Sequence, residues 1–294
     1  MTNYPLSECA SIVAARVASN AAKRIGVVMI VAALSASLAG AQEVSGLQAA
    51  AAIEDAMVRA IDEAEQSIVA IALVSNHGDA MREARMELLP PFGQPMAISQ
   101  QNDPADPDFV PNDYATGVII DSAGLVLTNF HAVGRDSRRY EYFVTTVERK
   151  VYRATLKAGD DKSDLAILQI ENLSPGTKFK PIKFGDAKKL KKGQIVIALG
   201  NPYAIARDGQ PSASWGIISN LSRRLATPKI TTEAQVTLHH FGTLIQTDAK
   251  LNFGTSGGAL LNLKGEMVGL TTSMAATSGY EQAAGYAIPI NEGF

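Results

Sequence analysis

The sequence predicts an all-β fold, two antiparallel β-barrels with an N-terminal helix, and three observations carry this expectation. From residue 115 onward, short apolar runs alternate with turn residues at the spacing of all-β proteins: 118–120, 125–127, 142–146, 165–170, 195–199 and 259–261, the last turned back through Lys264-Gly265 to 267–270. No long amphipathic helix interrupts these runs, so strands must pair mainly with strands. Upstream, Ile53, Met57, Ile61, Ala64 and Ile68 recur at steps of three and four, which predicts a helix over 47–68 with one buried face. With 46% hydrophobic residues, the chain has enough apolar side chains for a sizeable core.

The elements follow in order. Residues 1–24 carry Arg16, Lys23 and Arg24 against one acid, Glu8, and lead into the apolar run 25–40 and the small residues Ala39-Gly40-Ala41. That order of charge, apolar core and small-residue site predicts a signal peptide over 1–41 and an exported, periplasmic protein. Retention as a membrane anchor is the alternative, but the run is broken by Ser35 and Ser37 and is short against the roughly 20 residues of a span. Loss of 1–41 takes the formal charge from −2 to −4, and neither value suggests a nucleic-acid partner. It also removes Cys9, the only cysteine, so no disulfide is expected and core burial alone must hold the fold.

Residues 42–113 read as the helix, a first strand at 68–74 and an irregular loop over 89–112, which contains Pro90, Pro91, Pro95, Pro104, Pro107 and Pro111. Residues 114–294 form the two-barrel domain. The basic cluster Lys188, Lys189, Lys191 and Lys192 falls between the barrels and reads as a solvated linker. His77 and the neighbours His239-His240 lack zinc-ligand spacing, so no metal and no cofactor is expected.

Chemistry concentrates in three segments. Asn252-Phe253-Gly254-Thr255-Ser256-Gly257-Gly258-Ala259-Leu260 sets a serine among glycines ahead of an apolar strand. Glycines allow backbone N–H groups to approach the oxyanion that develops when a serine attacks a carbonyl. Leu125-Val126-Leu127-Thr128-Asn129-Phe130-His131 delivers a histidine at a strand end, and Lys162-Ser163-Asp164-Leu165-Ala166-Ile167-Leu168 places an aspartate at the mouth of another strand. Nucleophile, base and orienting carboxylate are what acyl transfer needs, which makes Ser256, His131 and Asp164 the candidate catalytic residues. Gly254-x-Ser256-x-Gly258 also fits the nucleophile elbow of α/β-hydrolases, but no histidine or aspartate follows Ser256 in this chain. The order His131, Asp164, Ser256 is instead the chymotrypsin-type order.

The chain resembles a trypsin-like serine protease of the HtrA/Deg family over residues 115–290. Matching text includes Ala115-Thr116-Gly117-Val118-Ile119-Ile120, Thr128-Asn129-Phe130-His131, Ser163-Asp164-Leu165-Ala166 and Leu199-Gly200-Asn201-Pro202. It continues through Gly216-Ile217-Ile218-Ser219, Ile245-Gln246-Thr247-Asp248-Ala249, the serine motif, and Gly285-Tyr286-Ala287-Ile288-Pro289. Thr255 stands where the family usually has asparagine, and Phe253 and Ala259 also depart from the pattern. The resemblance implies a serine endopeptidase that cleaves unfolded or misfolded exported proteins in protein quality control. It assigns the oxyanion hole to the N–H groups of Gly254 and Ser256, and pairing with substrate backbone to Thr272, Ser273 and Met274. Homotrimer assembly is a further implication, and no part of residues 1–294 reads as the PDZ domain commonly appended in this family. The alternative is a non-catalytic, chaperone-like peptide-binding scaffold, against which the intact triad argues. By the same resemblance Lys250, six residues before Ser256, stands at the position that lines the pocket floor in chymotrypsin-like enzymes; unpaired burial there is unfavourable, so its side chain is expected to reach solvent or an acid.

Overall fold

The computed structural model describes residues 46–75, 113–134, 140–201, 209–223, 243–252, 254–272 and 285–290. The chain divides into Met1–Ile53 and Glu54–Phe294. Of the first unit only residues 46–53 are described; they form the opening turns of helix α1 (Gly46–Ala64), with Leu47 and Ile53 exposed. The expected signal peptide, the 89–112 loop and the three histidines His77, His239 and His240 lie outside the described residues.

In the second unit α1 buries Ala60 and Ala64, flanked by half-buried Met57 and Ile61. The predicted stripe is correct over these turns but not at its ends. Ile53 is exposed, and Ile68 opens strand β1 because a tight turn, Glu65–Ser67, ends the helix and leaves Ile68 extended at φ −93, ψ 137.

Strands β1 (Ile68–Ser75), β2 (Asp113–Asp121), β3 (Leu125–Asn129), β4 (Tyr140–Thr145), β5 (Val151–Asp160) and β6 (Leu165–Ile170) close into one antiparallel barrel, ordered β1-β2-β3-β6-β5-β4. A short helix, α2 (Phe130–Val133), follows β3. Strands β7 (Ile195–Gly200), β8 (Ser212–Arg223), β9 (Leu244–Thr247), β10 (Ala259–Leu261), β11 (Met267–Thr272) and β12 (Gly285–Pro289) close the second barrel, ordered β10-β11-β12-β9-β8-β7. The all-β expectation of two barrels and one N-terminal helix is thereby met. Among the described residues, closure pairs each strand on both sides.

The strands legible in the sequence are those buried on both faces. On β7, Val196 and Ala198 point into the second barrel, while Ile197 and Leu199 join the apolar layer shared with Leu127, Val118 and α1. Because successive side chains alternate in direction, double burial turns alternation into a continuous apolar run. β5 and β8 instead face solvent on one side; β8 exposes Trp215 and Ile217 while burying Gly216 and Ile218. The lysines 188, 189, 191 and 192 are all exposed beside the turn Ala187–Lys189, as a solvated linker requires.

Helix α1 is also held by charge. Glu63 lies 2.9 Å from Lys183 Nζ and 3.5 Å from Lys180 Nζ. The hydrogen bond from Lys183, and then the charge of Lys180, hold its carboxyl below the usual carboxylate range. A depressed folded-state value contributes stability above the unfolded value and loses it as pH falls through the folded one. The pair is exposed, so its contribution is small and screened by salt. Glu63→Gln is therefore expected to lower the thermal midpoint slightly at neutral pH and low salt. The difference should close at acid pH and in high salt; a deficit indifferent to both would contradict an ionic origin.

Candidate active site

The β3–β6 ladder brings histidine and aspartate together. Its register runs from Leu125↔Gln169 to Asn129↔Leu165, so the next residues outward are Phe130 on one side and Asp164 on the other. The chain then coils into α2 and sets His131 over Asp164. Phe130 N–H donates to the Asp164 carbonyl at 3.0 Å, and Asn129 Nδ2 donates to the same oxygen at 3.3 Å. The carboxylate is used twice more: Oδ1 accepts from His131 N–H at 2.7 Å and Oδ2 from Nδ1 of the ring at 2.8 Å.

Both groups are sheltered, with side-chain exposure of 4% for Asp164 and 17% for His131. Asp164 has φ 56, in the left-handed region that non-glycine residues rarely adopt and aspartate tolerates better than most. The hydrogen bonds to its carbonyl and carboxylate hold it there. A carboxylate fixed on Nδ1–H leaves Nε2 of a neutral imidazole as the acceptor, the state a general base needs.

The serine loop docks on the other end of the same neighbourhood. Ser256 is buried, and its carbonyl accepts from Thr116 N–H of β2 at 3.0 Å. Thr128 Oγ1, three residues before His131, donates to the Thr116 carbonyl at 2.7 Å. Gly257 fits into this junction at φ 83: a Cβ there would stand 2.1 Å from the Thr116 carbonyl oxygen and 2.3 Å from Thr128 Oγ1. Glycine is thus required by both backbone and space. Gly254 also has positive φ, 87, and its carbonyl accepts from Thr116 Oγ1 at 2.6 Å.

The other sequence-predicted positions are less fully described. Thr272, at the end of β11, is buried, and its hydroxyl has no hydrogen-bond partner among the described residues. Ser273 and Met274 lie outside the described residues. Lys250 is exposed, in keeping with a side chain that reaches solvent, and its main-chain carbonyl accepts from Ser214 Oγ at 2.8 Å. Among the described residues no group of side chains has the makings of a metal site. Thr271 of β11 touches the same loop, its Oγ1 donating to the Thr255 carbonyl at 2.6 Å. Sequence reading missed Thr116 and Thr271 as neighbours of the serine loop, because a threonine in a strand ordinarily signals β-propensity and nothing in its spacing reveals where the hydroxyl points.

Known proteins similar to this chain share its fold. The family model described as trypsin-like peptidase domain matches residues 115–270. The periplasmic pH-dependent serine endoprotease DegQ of Escherichia coli is 37% identical over 177 residues, which cover 60% of this chain and 34% of that protein. A probable periplasmic serine protease, do/HhoA-like, of Haemophilus influenzae is 38% identical over 179 residues, with the same shares. The chain thus spans about one third of the length of these curated relatives. Among solved structures, Deg5 superposes with a TM-score of 0.55 at 21% identity, covering 80% of this chain and 89% of that one. The HtrA-type protease AlgW with a tripeptide gives 0.56 at 22% identity, covering 79% and 59%. At these identities the structural likeness speaks for the two-barrel fold alone. With the match over residues 115–270, more than half of its length, this chain belongs to the trypsin-like peptidase family, and the relatives it is similar to are Deg-type proteases.

Proposed function

We propose that this chain is a serine endopeptidase acting through an acyl-enzyme on unfolded polypeptides. The observation that carries the reading is the double grip of the Asp164 carboxylate on the main chain and ring of His131, beside the docked loop that bears Ser256. In this reading Ser256 Oγ attacks the scissile carbonyl. His131 Nε2 takes the hydroxyl proton and delivers it to the leaving amine, while Asp164 fixes the tautomer and stabilises the imidazolium. The tetrahedral oxyanion is held by the N–H groups of Gly254 and Ser256, and water then releases the acyl group by the same base catalysis. Binding of extended substrate backbone by the 272–274 segment would suit unfolded chains, whose main-chain groups are available to pair.

The proposal includes export. The two relatives from Escherichia coli and Haemophilus influenzae are named periplasmic, and among the described residues no helix is long and apolar enough to cross a membrane. Residues 1–41 act in this reading as a leader, leaving 42–113 as an N-terminal segment and 114–294 as the protease domain. Mass spectrometry of the native protein should find the mature terminus near Gln42; an intact 1–41 segment in a membrane fraction would favour the anchor.

A fluorophosphonate probe should label the protein at Ser256, with labelling and hydrolysis of an unfolded protein both lost in Ser256→Ala. Full hydrolysis by that variant would sink the mechanism. Asp164→Asn tests the carboxylate separately. Asparagine tolerates the same φ, so the fold should persist while turnover falls by about 10⁴ through the wrong imidazole tautomer. A loss below about tenfold would contradict the role given to the carboxylate.

The resemblance to the HtrA/Deg family implies a preference for small or medium aliphatic residues, so cleavage is expected after Val, Ala, Ile or similar residues. Lys250 faces solvent, and an exposed ammonium contributes little to selection inside a pocket. Sequencing peptides released from an unfolded protein checks this. Predominant cuts after Asp or Glu, lost in Lys250→Ala, would overturn the aliphatic preference.

A further inference from the structure

We infer that Thr271, with Thr116, is a positioning residue that aims the Ser256 N–H by gripping the carbonyls behind it. This rests on the acyl-enzyme reading and adds to it the source of the loop's fixed orientation.

A trans peptide carries its C=O and N–H on opposite sides of one rigid plane. The Ser256 N–H therefore points opposite to the carbonyl of Thr255, and whatever fixes that carbonyl fixes the donor. Thr271 Oγ1 donates to the Thr255 carbonyl at 2.6 Å, and Gly258 N–H donates to the same oxygen at 3.0 Å. The preceding peptide is restrained in the same way. Thr116 Oγ1 donates to the Gly254 carbonyl at 2.6 Å, while the N–H at the other end of that plane, Thr255 N–H, donates to the Asn252 carbonyl at 3.1 Å.

The two hydroxyls come from different barrels, Thr116 from β2 and Thr271 from β11, and both side chains are buried. Each is itself locked. Thr116 Oγ1 accepts from Asn201 N–H at 2.8 Å, leaving its single proton for Gly254. Thr271 is held at both ends of its backbone: its N–H donates to the Gly258 carbonyl and its carbonyl accepts from Gly257 N–H, each at 2.9 Å. A buried carbonyl that lost such a donor would turn toward another, and the peptide plane would turn with it. An oxyanion donor acts through direction as well as presence, so a rotated plane lowers transition-state binding and leaves substrate binding alone.

The test compares wild type, Thr271→Val and Thr271→Ser, each counted by active-site titration. Valine keeps the shape and removes the donor; serine keeps the donor. With a valine-terminated peptide nitroanilide, Thr271→Val is expected to lower kcat about tenfold with KM within about twofold, a part of what removal of a whole oxyanion donor costs. Affinity for a peptide boronate, whose tetrahedral adduct uses the same donors, should fall in parallel. Thr271→Ser should restore both. An unchanged kcat in Thr271→Val, a loss confined to KM, or a kcat loss with unaltered boronate affinity would overturn the inference. Should Thr271→Val fail to fold, Thr271→Cys, which replaces the hydroxyl by a weak S–H donor, is read by the same kcat and boronate measurements, with the same outcomes. Failure of the wild type to react with the fluorophosphonate would instead remove the acyl-enzyme reading itself.

Discussion

Thr116 joins the candidate site across the seam of the two barrels. Its N–H and hydroxyl reach the carbonyls of Ser256 and Gly254, its hydroxyl accepts from Asn201, and its carbonyl accepts from Thr128. These bonds set the serine loop of the second barrel against the strand that delivers His131 from the first. One of these bonds joins main chain to main chain, and the other three run through the buried hydroxyls of Thr116 and Thr128, so the geometry depends on the rotamers of these two threonines. The apolar layer that includes Leu127, Leu199 and Leu261 holds the barrels together; the bonds of Thr116 decide their register at the site. Dispersion and hydrophobic burial are non-directional, whereas hydrogen bonds lose strength steeply with angle. The division of labour follows from that difference.

Asp164 shows the cost of such fixing. A non-glycine residue at φ 56 carries strain of about 1–3 kcal/mol, tolerated only where the surroundings determine it. Here the donors Phe130 N–H, Asn129 Nδ2, His131 N–H and His131 Nδ1 all converge on this one residue. The same bonds that offset the strain define the position of the imidazole. Structure and chemistry are therefore coupled at this residue, and the coupling is written into the β3–β6 register.

Much of this was legible in the sequence. Strands buried on both faces, such as β7 and β10, print as apolar runs, and the glycines around Ser256 announce a close backbone approach. The chain order of His131, Asp164 and Ser256 separated the two-barrel reading from the α/β-hydrolase one. The rest was hidden for physical reasons. β5, with polar residues such as Arg153, Lys157 and Asp160 on its exposed side, lacks an apolar run. The end of α1 was read one turn too late because Ile68 continues the helical spacing by accident of the turn Glu65–Ser67. Thr116 and Thr271 look like ordinary strand residues, since the direction of a hydroxyl depends on pairing register that composition does not encode.

The most direct measurement is a crystal structure of the protein after reaction with a fluorophosphonate. The proposed geometry requires phosphorus bonded to Ser256 Oγ, a phosphoryl oxygen within hydrogen-bond distance of the N–H groups of Gly254 and Ser256, and His131 still held at Nδ1 by Asp164. An adduct on another residue, or one on Ser256 with its phosphoryl oxygen turned away from both N–H groups, would contradict it.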